Sequence, residues 1–455
     1  MSFVSINPAT GKKVAEYQAT TPAEVRQAIK AADKAQRAWR KTSFAERGEV
    51  LRAAATRLRA DATMLGRLMA EEMGKPAAAG KAEAEKCAWV CEYYAEHAER
   101  FLAPETVATD ASNSFVAFEP LGVVLAIMPW NFPLWQVYRF AAPALMAGNA
   151  GVLKHASNVP GSALAIEQNL KEAGLPEGLF RSLLIDNKAV ASVIRNPLVR
   201  AVTLTGSTGA GQAVGRAAGA KLKKSVLELG GSDPYLVLKD ADLDLAVEAC
   251  ATSRLINSGQ SCIAAKRFIV VDEVREEFER RFVERMRRAR MGDPMDPSTD
   301  VGPMARVDLR DELHEQVKKS IDQGARCLLG GKVPDGPGAY YPPTVLTDVK
   351  KGMVAYKEEL FGPVAAIIPV KNERAAIRVA NDSVFGLGAA VFTRNVERGT
   401  RIATKELEAG SCFVNGFVKS DPRLPFGGIK ESGYGRELAD FGIREFVNIK
   451  TVWVR

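Results

Sequence analysis

Histidine is nearly missing from this chain: its 455 residues include three, His97, His155 and His314, each alone in sequence. A serine–histidine–aspartate triad or a histidine-based metal centre finds little material here, and no metal site is expected. Cysteine is sparse as well. The six cysteines stand at irregular spacing without a C-x-x-C pair, which removes a zinc framework and fits a reducing compartment. No stretch approaches the ~18 consecutive apolar residues that a membrane span needs. The opening Met1-Ser2-Phe3-Val4-Ser5-Ile6-Asn7-Pro8 lacks the charged and apolar segments of an export signal. The expected location is the cytoplasm, with no membrane partner. Concentrated charge is missing too, because the net charge of +8 is dispersed. The densest basic run, Arg275 to Arg290, spaces Phe278, Phe282 and Met286 four apart, as a solvated helix with one buried face would. Nucleic acid is not an expected partner.

What is present reads as a folded α/β protein. Hydrophobic residues make up 47% of the chain and charged residues 25%, the balance of an ordinary globular protein. At ~150 residues per domain the length suggests about three domains. Thr21-Pro22-Ala23-Glu24 and Ser43-Phe44-Ala45-Glu46 read as capping boxes that open amphipathic helices. After a stop at Gly74-Lys75-Pro76, a long Ala/Glu-rich helix runs to Leu102. From Ser114 the pattern turns to β, with Phe115 to Phe118, a turn at Glu119-Pro120 and Gly122 to Ile127 predicting a hairpin. Short apolar runs at 151–154, 201–205, 225–229 and 235–238 then alternate with helical segments, the pattern of a parallel sheet.

Four places can carry chemistry. A helical pattern from Asp242 is expected to stop at Gly259, leaving Cys262 in the polar turn Asn257-Ser258-Gly259-Gln260-Ser261-Cys262. A thiol titrating near pH ~8.5 needs a base or an electropositive site to act as a nucleophile. Cys87, Cys91, Cys250, Cys327 and Cys412 lie in apolar or alanine-rich sequence and are expected to be buried structural cysteines. Gly206-Ser207-Thr208-Gly209-Ala210-Gly211 follows a strand and opens a helix, where a backbone can approach phosphate. It matches neither G-x-G-x-x-G nor a P-loop, since Gln212-Ala213 replaces Lys-Ser/Thr, so the choice is between another nucleotide geometry and tight strand-to-helix packing. Glu228, 22 residues after Gly206, suits either ribose hydroxyls or a general base among apolar neighbours. Asn131, in Pro129-Trp130-Asn131-Phe132-Pro133, is either an oxyanion donor or a turn residue.

Taken in order, these segments resemble the NAD(P)-dependent aldehyde dehydrogenase superfamily over nearly the whole chain. The motifs are Pro129 to Pro133, Thr205-Gly206-Ser207, Leu227 to Gly231, Gly259 to Cys262, Glu359-Leu360-Phe361-Gly362-Pro363 and Pro425-Phe426-Gly427-Gly428. The resemblance implies a Rossmann-like cofactor domain over 1–103 and 122–231, an α/β catalytic domain over 232–432, and a β-hairpin oligomerisation arm over 104–121 and 433–455. It implies a homodimer or homotetramer. It makes Cys262 the nucleophile, Glu228 the base and Asn131 an oxyanion donor. Trp130, Lys154, Gly206, Ser207, Glu359 and Phe361 become cofactor contacts. Within the superfamily, Lys154-His155-Ala156-Ser157-Asn158-Val159-Pro160, Trp135 to Arg139 and Lys419 to Arg423 are similar to the short succinate-semialdehyde dehydrogenases.

Two expectations follow. Ser157 is neutral where a glutamate would repel a 2′-phosphate, so NADP is the expected cofactor, with NAD a possible one. Arg139, Ser420 and Ser261 are expected to bind the far carboxylate of a small aldehyde such as succinic semialdehyde. Broader aliphatic specificity and a CoA-acylating enzyme are the competing activities, and a catalytically idle binding protein is the competing class. Retention of Glu228 argues against CoA as acyl acceptor. The presence of thiol, base and oxyanion donor together argues against idleness.

Overall fold

The computed structural model describes residues 2–455. Both capping boxes form: Thr21 with Glu24 opens the helix Pro22–Trp39, and Ser43 with Glu46 opens Phe44–Ala60. Each pair satisfies two backbone donors that the first helical turn leaves free. The Ala/Glu-rich helix spans Ala77–Phe101, and Asp272–Arg287 buries Phe278, Phe282 and Met286 as their spacing predicts. Among the described residues no helix is long and apolar enough to cross a membrane.

Two sheets carry the architecture. The first has the order Gly433–Tyr434, Lys224–Glu228, Val199–Thr205, Val123–Met128, Ala150–His155, Phe180–Ser182, all parallel except the antiparallel first strand. Val123–Met128 pairs with the next strand on one side and with a later one on the other. Such a reversal opens a crevice beyond the carboxyl ends of the strands, and ligands bind there. The second sheet has the order Arg326–Leu329, Thr344–Thr347, Val364–Val370, Arg267–Val271, Pro234–Val237, Gly388–Phe392, Ser411–Val414. A third, antiparallel sheet joins Val447–Val454, Asn113–Pro120 and Glu105–Thr106.

The expected hairpin of residues 115–127 does not form. Asn113–Pro120 pairs along its whole length with Val447–Val454, whereas Val123–Met128 enters the first sheet. The cause is burial. Every residue of Val123–Met128 is buried, the mark of a central parallel strand, while Asn113–Pro120 is mostly half-exposed. Between them Gly122, at φ 129°, takes a backbone shape that other residues rarely adopt, and the chain passes from one sheet to the other.

A second correction concerns cysteine. Cys87, Cys91 and Cys250 are buried as expected, but Cys327 is exposed and Cys412 half-buried. These two lie on Arg326–Leu329 and Ser411–Val414, the opposite edges of the second sheet, where apolar sequence is covered on fewer sides.

Candidate active site

The loop bearing Cys262 is shaped by its backbone. The α-helix from Leu243 stops at Leu255, earlier than the apolar pattern suggests, and Asn257, Ser258 and Gly259 then adopt φ of 51°, 54° and 75°. Left-handed backbone costs a non-glycine residue about 1–3 kcal/mol, so the surroundings must hold it. Asn257 Nδ2 donates to Asn131 O at 2.7 Å and to Gln260 O at 3.0 Å, and Ser258 Oγ accepts from Gly302 N at 3.0 Å. At Gly259 a Cβ would overlap the Gly362 carbonyl, so glycine is needed for space as well as for φ. Lys266 Nζ finishes the turn by donating to the carbonyls of Ser261 (2.8 Å) and Cys262 (2.7 Å) and pairing with Glu359 at 3.1 Å.

Asn131 is tied into the same loop. Its Nδ2 donates to Gln260 O at 3.0 Å, and its Oδ1 accepts from Gln136 Nε2 at 3.0 Å. That bond orients the amide with its NH₂ toward the cysteine loop and uses one of its two donor hydrogens. The helix Trp135–Met146 behind it has no side-chain cap of its own. Glu83, from the helix Ala77–Phe101, supplies one: Oε1 accepts from Leu134 N and Trp135 N, both at 2.9 Å, while Oε2 pairs with buried Lys75. Lys75 in turn sits 3.9 Å above the Phe132 ring.

Cys262 stands between two cavities of about 290 Å³ each. The first lies at the strand-order reversal. Of the expected residues, Trp130, Asn131, Gly206, Ser207, Glu359 and Phe361 line it. Trp130 and Phe361 meet edge to face at 5.8 Å. Ser207 caps the helix Thr208–Gly219, its Oγ accepting from Ala210 N at 3.3 Å, so a helix N-terminus faces the crevice. The second cavity is lined by Arg139, Ser261 and Ser420 of the expected set, joined by Lys86 and Phe426.

Glu228, Lys154 and Ser157 line neither cavity. Glu228 ends its strand with both carboxylate oxygens buried and unpartnered, lying so near Gly427 that a Cβ there would come within 2.7 Å of Oε1. Burial, reinforced by the charge of Glu437, raises its pKa well above the usual carboxylate range, against the pull of Arg139 and Arg436. Lys154 lies near the end of the strand Ala150–His155 in the same sheet and donates to Asn187 Oδ1 at 2.7 Å. Burial lowers its pKa, and Asp186 works against that. Ser157 is exposed in the following loop, beside Asn158, whose Oδ1 and Nδ2 are buried without partners. His155 is a structural residue. Its Nδ1 accepts from Ala156 N at 2.8 Å, so Nε2 donates to Pro133 O at 2.9 Å, and burial lowers its pKa to about 4.

Arg139 differs most from its expectation. Its guanidinium is buried, paired with Glu437 and stacked 4.7 Å over Phe426, with Nη2 donating to Thr205 Oγ1 at 3.3 Å. The charge expected to serve a substrate is already matched by a carboxylate. The Cys262 thiol is also far from its free state, because burial pushes its pKa up to about 12 although Lys266 and Arg139 oppose the shift. Sequence reasoning missed Lys86, Glu83, Lys266 and Glu437. Lys86, Glu83 and Glu437 act across long sequence separations, Lys266 holds both the nearby Ser261 and Cys262 carbonyls and the distant Glu359, and none of the four carries a local motif.

The aldehyde dehydrogenase family model matches residues 1–452. A succinate-semialdehyde dehydrogenase [NADP(+)] 1 of Mycobacterium tuberculosis is 51% identical over 457 residues, covering 100% of both chains. The succinate-semialdehyde dehydrogenase [NADP(+)] of Mycobacterium leprae is likewise 51% identical over 457 residues, again with 100% of both chains covered. Among solved structures, the succinic semialdehyde dehydrogenase of Streptococcus pyogenes in complex with NADP+ superposes with a TM-score of 0.97 at 38% identity, covering 99% of each chain.

Proposed function

Since this chain belongs to the aldehyde dehydrogenase family, we propose that it oxidises succinic semialdehyde to succinate with NADP as cofactor, and that Cys262, Glu228 and Asn131 carry the reaction. The observation that carries this reading is the position of Cys262, which opens on one side to the crevice at the strand-order reversal and on the other to a separate, cation-bearing cavity. A thiol so placed can meet a cofactor from one side and an aldehyde from the other.

The residues fit the cofactor. Gly206, Ser207 and the helix N-terminus suit a pyrophosphate, and Trp130 and Phe361 provide flat apolar walls. Lys154 supplies positive charge, Ser157 offers a hydroxyl without a negative charge, and Asn158 holds two unpartnered polar atoms beside them. This donor set suits the 2′-phosphate of NADP. Bound NADP supplies the hydride acceptor.

The protein's own groups perform the remaining work. Cys262 gives its thiol proton to water as its sulfur adds to the aldehyde carbon, the carbonyl π pair passes to oxygen, and the new oxyanion takes the free hydrogen of Asn131 Nδ2 together with the Cys262 backbone N–H. After oxidation Cys262 carries a succinyl thioester. Glu228 takes a proton from water, which attacks that carbonyl and releases the Cys262 sulfur. A raised carboxylate pKa suits a base working near neutrality, since it holds the abstracted proton better than an exposed glutamate would. The strands Asn113–Pro120 and Val447–Val454, with Ile449, Trp453 and Val454 exposed, form the face through which copies of the chain associate as a homodimer or homotetramer.

A panel of succinic semialdehyde, glutaric semialdehyde and butanal, each with NADP or NAD and with or without CoA, tests the activity by absorbance of the reduced cofactor. The expected result is the highest kcat/KM for succinic semialdehyde with NADP, independent of CoA. A requirement for CoA, or a preference for butanal, would overturn it.

A further inference from the structure

We propose that Lys86, from the helix Ala77–Phe101, is the cation that receives the remote carboxylate of the substrate. The proposal rests on the reading that the substrate is an ω-carboxy aldehyde. Ala79, Ala82 and Lys86, spaced three and four apart, present one face of that helix to the second cavity.

Four cations line this cavity: Lys75, Lys86, Arg139 and Lys419. Lys75 is paired with Glu83 and Arg139 with Glu437, all four groups buried, so each pair contributes no net charge. Lys419 is exposed. Lys86 alone is partly buried and free of an ion pair among the described residues. Its ammonium donates to Ser420 Oγ at 2.8 Å and lies 4.2 Å above the Trp135 ring.

A neutral hydroxyl and a ring face do not neutralise a cation. An ammonium has three N–H donors, and the bond to Ser420 uses one. Because Ser420 Oγ accepts from Lys86, its own hydrogen is free to donate, and Ser261 Oγ is buried in the same cavity wall without a partner. One ammonium and two hydroxyls thus offer the charge-assisted donors that an anionic carboxylate requires. Burial and the nearby Arg139 lower the Lys86 pKa to about 8, so the group remains mainly protonated at neutral pH.

The test compares the parent enzyme with Lys86→Met and Lys86→Arg, measuring kcat/KM for succinic semialdehyde and for butanal with NADP. Succinic semialdehyde and butanal have the same chain length and differ in the far carboxylate. In Lys86→Met the ratio of the two kcat/KM values should fall roughly 10- to 100-fold, the effect of one charged hydrogen bond, with the loss mainly in KM for the anionic substrate. Lys86→Arg should recover most of the ratio. Should the methionine variant not fold, Lys86→Gln, which keeps a donor toward Ser420 but no charge, decides by the same ratio. An unchanged ratio in the uncharged variant, with the parent still preferring succinic semialdehyde, overturns the role of Lys86 alone. A parent enzyme without that preference overturns the substrate reading and this proposal with it.

Discussion

If burial governs Cys262, the resting enzyme should hold a protonated, slow thiol, and alkylation measures this directly. The thiol pKa of about 12 leaves a thiolate fraction of about 10⁻⁴ at pH 8, against about one quarter for a free cysteine. That is a deficit of roughly 2,500-fold. A more basic thiolate is also a better nucleophile, and a Brønsted slope of about 0.4–0.5 over ~3.5 pK units recovers roughly 25- to 55-fold. Iodoacetamide should therefore modify Cys262 roughly 50- to 100-fold more slowly at pH 8 than it modifies a cysteine in an unstructured peptide. Between pH 7 and 9 the rate should climb about tenfold per pH unit without levelling, because the whole range lies below the thiol's pKa. Peptide mass spectrometry separates Cys262 from exposed Cys327. A plateau below pH 9, or a rate equal to the peptide's, would mean that Lys266 and Arg139 already stabilise a thiolate, and the argument from burial would fail.

Glu228→Gln should give a burst of reduced cofactor stoichiometric with sites, then stall with the acyl group found on Cys262 by mass spectrometry; steady turnover at the parent rate would remove Glu228 from the hydrolytic step. Ser157→Glu should move the NADP-to-NAD ratio of kcat/KM toward NAD by roughly 10-fold or more, the effect of losing one charge-assisted bond, and an unmoved ratio would place selectivity elsewhere. Deleting residues 448–455 removes most of the partner of Asn113–Pro120, so sedimentation should find smaller species than the parent; a parent-sized oligomer would exclude this face as the interface. Arg139→Met should destabilise the fold by about 3–5 kcal/mol in thermal or urea unfolding, because Glu437 is left buried without its counter-charge, and a neutral effect would show the pair to be dispensable.

What could be read along the chain was what depends on near neighbours. Thr21 and Ser43 announce their helices because each capping box closes within four residues. Glu228 stands out as a carboxylate among leucines, and it is indeed buried. The strand-to-helix turn at Gly206 is equally local, and Ser207 caps the helix that follows. Glu83 and Lys86 give no such sign. Both lie in an Ala/Glu-rich helix whose composition speaks only of propensity, and their partners Leu134, Trp135 and Ser420 come from distant parts of the chain. The hairpin error has the same origin. Residues 113–120 and 123–128 are both strand-like and close in sequence, but the partner of the first lies at 447–454, over three hundred residues away, where no local pattern can point.

Charge neutrality explains why Arg139 and Lys86 differ although both border the same cavity. Arg139 faces two buried carboxylates, Glu437 in direct contact and Glu228 at longer range, and its charge opposes the rise of the Glu228 pKa. Were it drawn away to bind a substrate anion, two acidic groups would lose their counter-charge together, and the cost of stranding them would offset the new contact. Lys86 carries no such obligation. Its partners are the Ser420 hydroxyl and the Trp135 ring, so engaging an anion there completes a charge pair without breaking one. The Arg139 charge also opposes the protonation of Lys86, and an incoming carboxylate reverses that pressure by favouring the ammonium. On these grounds Arg139 holds the electrostatics around Glu228, and Lys86 is the proposed selector of the anionic aldehyde.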